Sequence, residues 1–177
     1  MPNRRSSSVR ALTASAVFFW ESFISELAQR ANVDQYAYRR NLLADDPLAL
    51  RVLDAAAQAS GWTAPAPQNT FRGIAYNCYI GRGGRFKTYV AEVAELARVG
   101  GRLAIKRVFC AVDPGLVVNP NTLHALIEGG IGFALTNTVK SRITFSNGQF
   151  LSWNINHLGN FIPAESGSTE GERQLPA

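Results

Sequence analysis

The chain has 177 residues, 46% hydrophobic and 18% charged, with a net charge of +5. That is one domain's worth of polypeptide, able to bury roughly 70% of its unfolded surface if it folds alone. The composition excludes three classes. No run approaches the roughly 20 apolar residues of a membrane span, no CxxC or histidine-rich spacing suggests a metal site, and the basic residues are not interleaved with aromatics as in nucleic-acid binders.

In chain order, the Ser/Arg-rich residues 1–9 are expected to be unstructured. Arg4-Arg5 ahead of an apolar run has the look of an export signal, but Glu21 interrupts the run, so the reading is a soluble, cytoplasmic chain. Val17, Trp20, Ile24, Leu27 and Ala31 recur at helical spacing and predict a helix over 16–31. Asp34 is placed to cap a second short helix holding Tyr36, Tyr38 and Leu42. Asp46-Pro47 opens a third and Gly61 stops it, with Leu50, Leu53, Ala56 and Ala57 as its apolar face. Residues 63–70, with Pro65 and Pro67, read as a loop.

Three β-rich runs follow, 71–80, 87–99 and 103–112. GRGGR at 81–85 reads as the turn between the first two, since it lacks the phosphate-binding G-x-x-x-x-G-K-[ST] pattern. Gly100-Gly101-Arg102 is a hairpin signal between the second and third. Asp113-Pro114-Gly115 breaks the apolar run, and Asn119-Pro120 opens a helix over about 121–137 that carries Gly129, Gly130 and Gly132. Each helix-interior glycine costs roughly 0.8–1 kcal/mol relative to alanine, so this stretch is expected to receive a close approach from another element or a large ligand. Ser146-Asn147-Gly148 predicts a last hairpin between 141–145 and 149–154, and from His157 onward periodicity is lost. The fold class is α+β: N-terminal helices, then an antiparallel sheet with the glycine-containing helix packed on it.

Candidate chemistry is sparse. Cys78 and Cys110 lie in separate apolar segments, where buried free thiols are the default, and a disulfide between them stays open. His124 and His157, the two histidines, have no nucleophile beside them in sequence and read as structural.

Four segments, in this order, carry a family resemblance. They are RALTASAVFFWESFISELAQRANVDQYAYRRNLL (Arg10–Leu43), RGIAYN (Arg72–Asn77), YVAEVAEL (Tyr89–Leu96) and RVFCAVDPGLVVNPNTLHALIEGGIGFAL (Arg107–Leu135). Together they resemble the C-terminal molybdopterin-binding part of the large subunit of the molybdenum hydroxylases, the xanthine dehydrogenase and aldehyde oxidase superfamily. The pattern is that of the isoquinoline 1-oxidoreductase and aldehyde dehydrogenase beta-subunit type. The resemblance implies a partial molybdopterin-binding domain over residues 10–156, followed by a disordered or divergent tail at 157–177. It implies a molybdenum-pyranopterin cofactor, hydroxylation of aldehydes or N-heterocycles with water-derived oxygen, and two partners: the remaining large-subunit segment and a [2Fe-2S] electron-transfer subunit. Nucleic acid and membrane are not among the implied partners, and a full-length relative is compatible with a periplasmic location.

The same resemblance assigns Arg10, in a loop over 10–15, together with Glu128 and Gly129, to cofactor binding. Leu126 stands where the pattern has a glutamine that hydrogen-bonds the pterin, which removes one polar contact worth about 1–3 kcal/mol. The G-x-G-E-P segment that carries the family's catalytic glutamate has no counterpart here, so no catalytic or metal-ligating residue is assigned. The expectation is a truncated subunit, inactive on its own. The competing expectation is a non-catalytic module that docks on a partner subunit.

Overall fold

The computed structural model describes residues 5–81, 84–139, 145–147 and 149–150. The elements are α1 (Arg5–Arg30), α2 (Gln35–Leu42), α3 (Pro47–Ala59), β1 (Thr70–Gly81), β2 (Phe86–Val99), β3 (Arg102–Asp113), α4 (Pro120–Val139), β4 (Phe145–Ser146) and β5 (Gln149–Phe150). The class is α+β. The chain divides into two compact units that part at Gly115 and Leu116. Among the described residues no helix is long and apolar enough to cross a membrane.

In the first unit α3 is the helix on the sheet. The Asp46 carboxylate accepts from the Leu48 and Ala49 amides at 3.2 Å, and Pro47 sits in the first turn. At the other end the Trp62 N–H reaches the Ala57 carbonyl at 2.9 Å and the Gly61 N–H reaches Gln58 at 3.0 Å, the two bonds of a Schellman stop. Between these caps Ala49, Val52, Leu53, Ala56 and Ala57 form one buried stripe. They close on Ile74 of β1 and Tyr89, Ala91 and Val93 of β2, with Phe109 and Ala111 of β3 at the margin. Leu53, Ala56 and Ala57 are buried as the sequence predicts, and Ala49 and Val52 join them. Leu50 is only half-buried, because the 49–52/53–56/57 series faces the sheet.

Strand order is β1-β2-β3, antiparallel throughout. Val99 pairs with Arg102 across Gly100 and Gly101, at φ +57° and +79°. Two consecutive positive-φ residues are what a two-residue type I′ hairpin requires, and glycine adopts them without strain. A bulge between Glu95 and Leu96 then shifts the pairing, so that Leu96 faces Ile105 while Glu95 faces Arg107. Lys106 is the extra residue. Leu103 and Ile105, on the hairpin side of the bulge, lie on the face away from α3, and the bulge turns Phe109 and Ala111 to the face beneath it.

α1 begins at Arg5 rather than at residue 16. It takes in part of the 1–9 segment expected to be unstructured and all of the 10–15 segment expected to be a loop. No glycine or proline occurs between Arg5 and Arg30, and nothing local interrupts the helical hydrogen bonds. The rest of the expected N-terminal disorder and the 157–177 tail lie outside the described residues.

The inner side of α1 also differs from expectation. Ala28 is buried, but Trp20 is exposed. The cause is a polar anchor. Arg39 of α2, 2% exposed, donates from Nε to Glu21 Oε2 at 2.8 Å and from Nη2 to the Glu21 carbonyl at 3.0 Å and Ser25 Oγ at 2.8 Å. The same Glu21 oxygen accepts the Tyr76 amide of edge strand β1 at 3.1 Å. With Glu21 turned inward, Trp20, one residue and about 100° away, is turned out.

The second unit holds α4 and the β4–β5 hairpin. Phe145 pairs with Phe150 and Ser146 with Gln149 around Asn147 at φ +49°. The remaining residues expected in this hairpin, 141–144 and 151–154, lie outside the described ones. α3 covers the sheet of the first unit, and α4 has no buried residue.

Removing one partner of a covered ion pair leaves a charge without compensation. Arg39→Ala is therefore expected to lower unfolding free energy by about 3–5 kcal/mol in urea titrations. Arg40→Ala, which breaks the exposed pair with Asp54, is expected to change it little.

Candidate functional site

The sequence-derived candidates fall on two elements. Arg10 lies on α1 in the first unit, and its side chain is outside the described residues. Glu128 and Gly129 are consecutive on α4 in the second.

The link that leads to α4 is built by short-range capping. Asp113 Oδ1 accepts the Gly115 amide at 3.0 Å, and Gly115 takes φ +83°, so the D-P-G turn needs a residue tolerant of the left-handed region. The other carboxylate oxygen of Asp113 is held by Arg51 of α3. Asn119 then caps α4, its Oδ1 accepting from Thr122 N at 3.2 Å. Along α4 a Cβ placed at Gly129 or Gly130 meets nothing within 4 Å, and Leu126 is 69% exposed. The bare backbone exists as expected, and among the described residues nothing approaches it.

Several charged residues of the other three signature segments pair within the fold. Arg72 of RGIAYN and Glu95 of YVAEVAEL are cross-strand partners, and Glu95 is opposite Arg107 on its other side. Glu95, 4% exposed, accepts from Arg72 Nε at 3.0 Å and from Arg107 Nη2 at 2.9 Å. Burial pushes its carboxyl upward, but the two guanidinium groups outweigh burial and hold it below the usual range. Arg107 also lies over the Phe109 ring, 5.2 Å from its centroid. Glu21 and Arg39, from the first segment, form the anchor described above. Sequence reasoning missed these networks. The charges are visible, but the pairing depends on register, and an uninterrupted hairpin would set Lys106, not Arg107, opposite Glu95.

One acid points the other way. Glu92 sits between Ala91 and Val93, hence on the sheet face away from α3, directly opposite Cys110. Burial raises its carboxyl, partly offset by a hydrogen bond from the Cys110 thiol. Burial, with Glu92 adding, pushes that thiol up to about 12. Cys78 pairs with Tyr89, three residues from Glu92 along β2, and therefore projects from the opposite face. Both thiols are free, and this geometry answers the open disulfide question. Burial also raises the Cys78 thiol and the Tyr76 phenol. None of these groups is poised as a nucleophile. Among the described residues no cluster of three or more His, Cys, Asp or Glu could hold a metal ion.

Comparison with known proteins places the chain among oxidoreductase subunits. It is 31% identical to the beta subunit of isoquinoline 1-oxidoreductase from Brevundimonas diminuta over 76% of its own length. It is 33% identical to a nicotinate dehydrogenase subunit from Pseudomonas putida over 81%. The chain belongs to the molybdenum hydroxylase family. It spans 17% and 13% of the length of these two relatives. No family model matches it.

The family's cofactor is a bulky metal–pterin, and the described residues do not by themselves fit it. Among the described residues nothing lies within 4 Å of a Cβ built at Gly129 or Gly130, and Leu126 offers a pterin edge neither donor nor acceptor.

Two measurements check this electrostatic picture. A thiol titration of the unreduced, unfolded chain is expected to find both cysteines free, with slow labelling in the folded chain; one missing pair of thiols would contradict the strand assignment. The folded state holds the Glu92 proton more tightly than the unfolded chain does, so this residue costs stability as pH rises through and above the ordinary carboxylate range. Glu92→Gln is expected to raise Tm near neutrality, with the gain vanishing below about pH 4.

Proposed function

We propose that this chain supplies part of the large subunit of a molybdenum hydroxylase acting on an N-heterocycle or aldehyde, and that it does not turn over alone. The observation that carries this reading is the 31–33% identity, over three quarters or more of the chain, to subunits named for isoquinoline and nicotinate, both nitrogen heterocycles. In such an enzyme the cofactor supplies oxygen transfer from water and the electrons leave through a [2Fe-2S] partner, in the cytoplasm on the present reading. Arg10, Glu128 and Gly129 are the residues proposed to face the pterin in the complete subunit, Gly129 through its bare backbone.

One feature supports inactivity in isolation: the 177 residues contain no G-x-G-E-P segment and hence no candidate for the base. A second reading, a docking module without chemistry, draws on Gly129 and Gly130 of α4, against which nothing lies among the described residues.

Elemental analysis separates these. The purified chain is expected to carry no stoichiometric molybdenum and to release no pterin fluorescence on extraction, whereas the chain co-purified with the remainder of a large subunit is expected to carry both. Stoichiometric molybdenum in the chain alone would refute the inactivity claim, and a metal-free complex would favour the docking module.

A further inference from the structure

The chain leaves β3 through a turn that is held at one point. Asp113, the last residue of the strand, still pairs with Tyr89 of β2, and the residue ahead of a proline favours extended backbone. Pro114 has no N–H to donate, and Gly115 takes φ +83°. Leu116 and Val118 follow at 92% and 89% exposure, and Asn119 then caps α4. Among the described residues, the Gly115 amide makes the one hydrogen bond of the stretch 114–118, to Asp113 Oδ1. The two compact units part inside this stretch, at Gly115 and Leu116. Asp113 is also tethered from the other side. Arg51 of α3, 62 residues away in sequence, holds its second carboxylate oxygen. Arg51 is the one cation on α3, and its neighbours Ala49, Val52 and Leu53 are locked in the core.

We propose that Arg51 and Asp113 form a salt-sensitive clasp on a hinge at residues 114–118. Closed, the ion pair holds the carboxylate in the orientation that caps the Gly115 amide, so a long-range tether and a local cap share one side chain. Open, the carboxylate turns to water, Gly115 loses its acceptor, and the stretch up to Asn119 has no bond of its own. The arginine side chain is 50% exposed and the aspartate 20%. An ion pair so placed is weak, which suits a hinge: it shifts the closed-to-open ratio about two- to fivefold, and high salt screens it away. The core does not depend on it, because the buried stripe of α3 and the Glu21 and Glu95 networks use other residues. The clasp lies within the first unit and the link that leaves it, so it stands independent of the cofactor reading.

Amide exchange of the full chain, followed at Gly115 by NMR, tests the proposal together with brief proteolysis of the link. Arg51→Ala is expected to speed Gly115 exchange about two- to fivefold and to raise cleavage between residues 115 and 119 in step, with an unchanged far-ultraviolet spectrum. Asp113→Asn keeps an oxygen for the Gly115 amide but gives up the charge. It is expected to match Arg51→Ala, and the double variant is expected to add nothing further. Asp113→Ala, which loses the cap as well, is expected to exceed all three. In about 1 M salt the wild-type chain is expected to approach Arg51→Ala, which itself responds little. Arg40→Ala breaks an exposed ion pair elsewhere and, as the control, is expected to leave Gly115 unchanged. Unaltered Gly115 exchange in Arg51→Ala or Asp113→Asn, additive effects in the double variant, or a salt response that survives without Arg51 would each overturn the clasp.

Discussion

A carboxylate drawn out of water next to a guanidinium cannot return to solvent without leaving that guanidinium uncompensated, and the Glu21–Arg39 pair imposes this constraint on the whole N-terminal half. Arg39 is almost fully covered and donates to Glu21, Ser25 and the Gln35 carbonyl, so it has one geometry in which its hydrogen-bonding capacity is met. Glu21 in turn takes the outward amide of Tyr76 on edge strand β1. One ion pair thus ties α1 to α2, protects part of an otherwise open strand edge and sets the rotation of α1.

The sheet repeats the same economy with Glu95. A single buried carboxylate between Arg72 and Arg107 joins all three strands on the face that carries α3. Buried ion pairs seldom add much net stability over apolar packing, yet each is costly to break on one side, which makes them good at selecting one register over its neighbours. Here the selected register contains a bulge. The charged residues that lend the chain its family signature serve largely in this role. Their presence reports a shared fold more directly than it reports chemistry.

The second unit stands in contrast. α4 is properly capped and regularly formed, yet nothing among the described residues rests against Gly129 or Gly130. Several interior glycines cost a helix stability relative to alanine. The relatives are far longer than the stretch they share with this chain. The first unit has its own core and ionic networks; α4 of the second has no buried residue.

Much of this was legible in the residues alone, wherever the governing interaction is local. Asp34, Asp46-Pro47 and Asn119-Pro120 cap the helices they were expected to cap, Gly100-Gly101 makes the hairpin, and the strand limits agree to within about a residue, because caps and tight turns are decided within a few bonds. The start of α1 was missed, since a Ser/Arg-rich composition says little when no glycine or proline interrupts the helix. Tertiary structure alone decided the rest: that Trp20 faces out because Glu21 faces in, that Arg107 rather than Lys106 meets Glu95, that Cys78 and Cys110 lie on opposite faces, and that α3 covers the sheet. Each depends on register or rotation, quantities set by contacts between residues far apart in the chain, to which local spacing is blind.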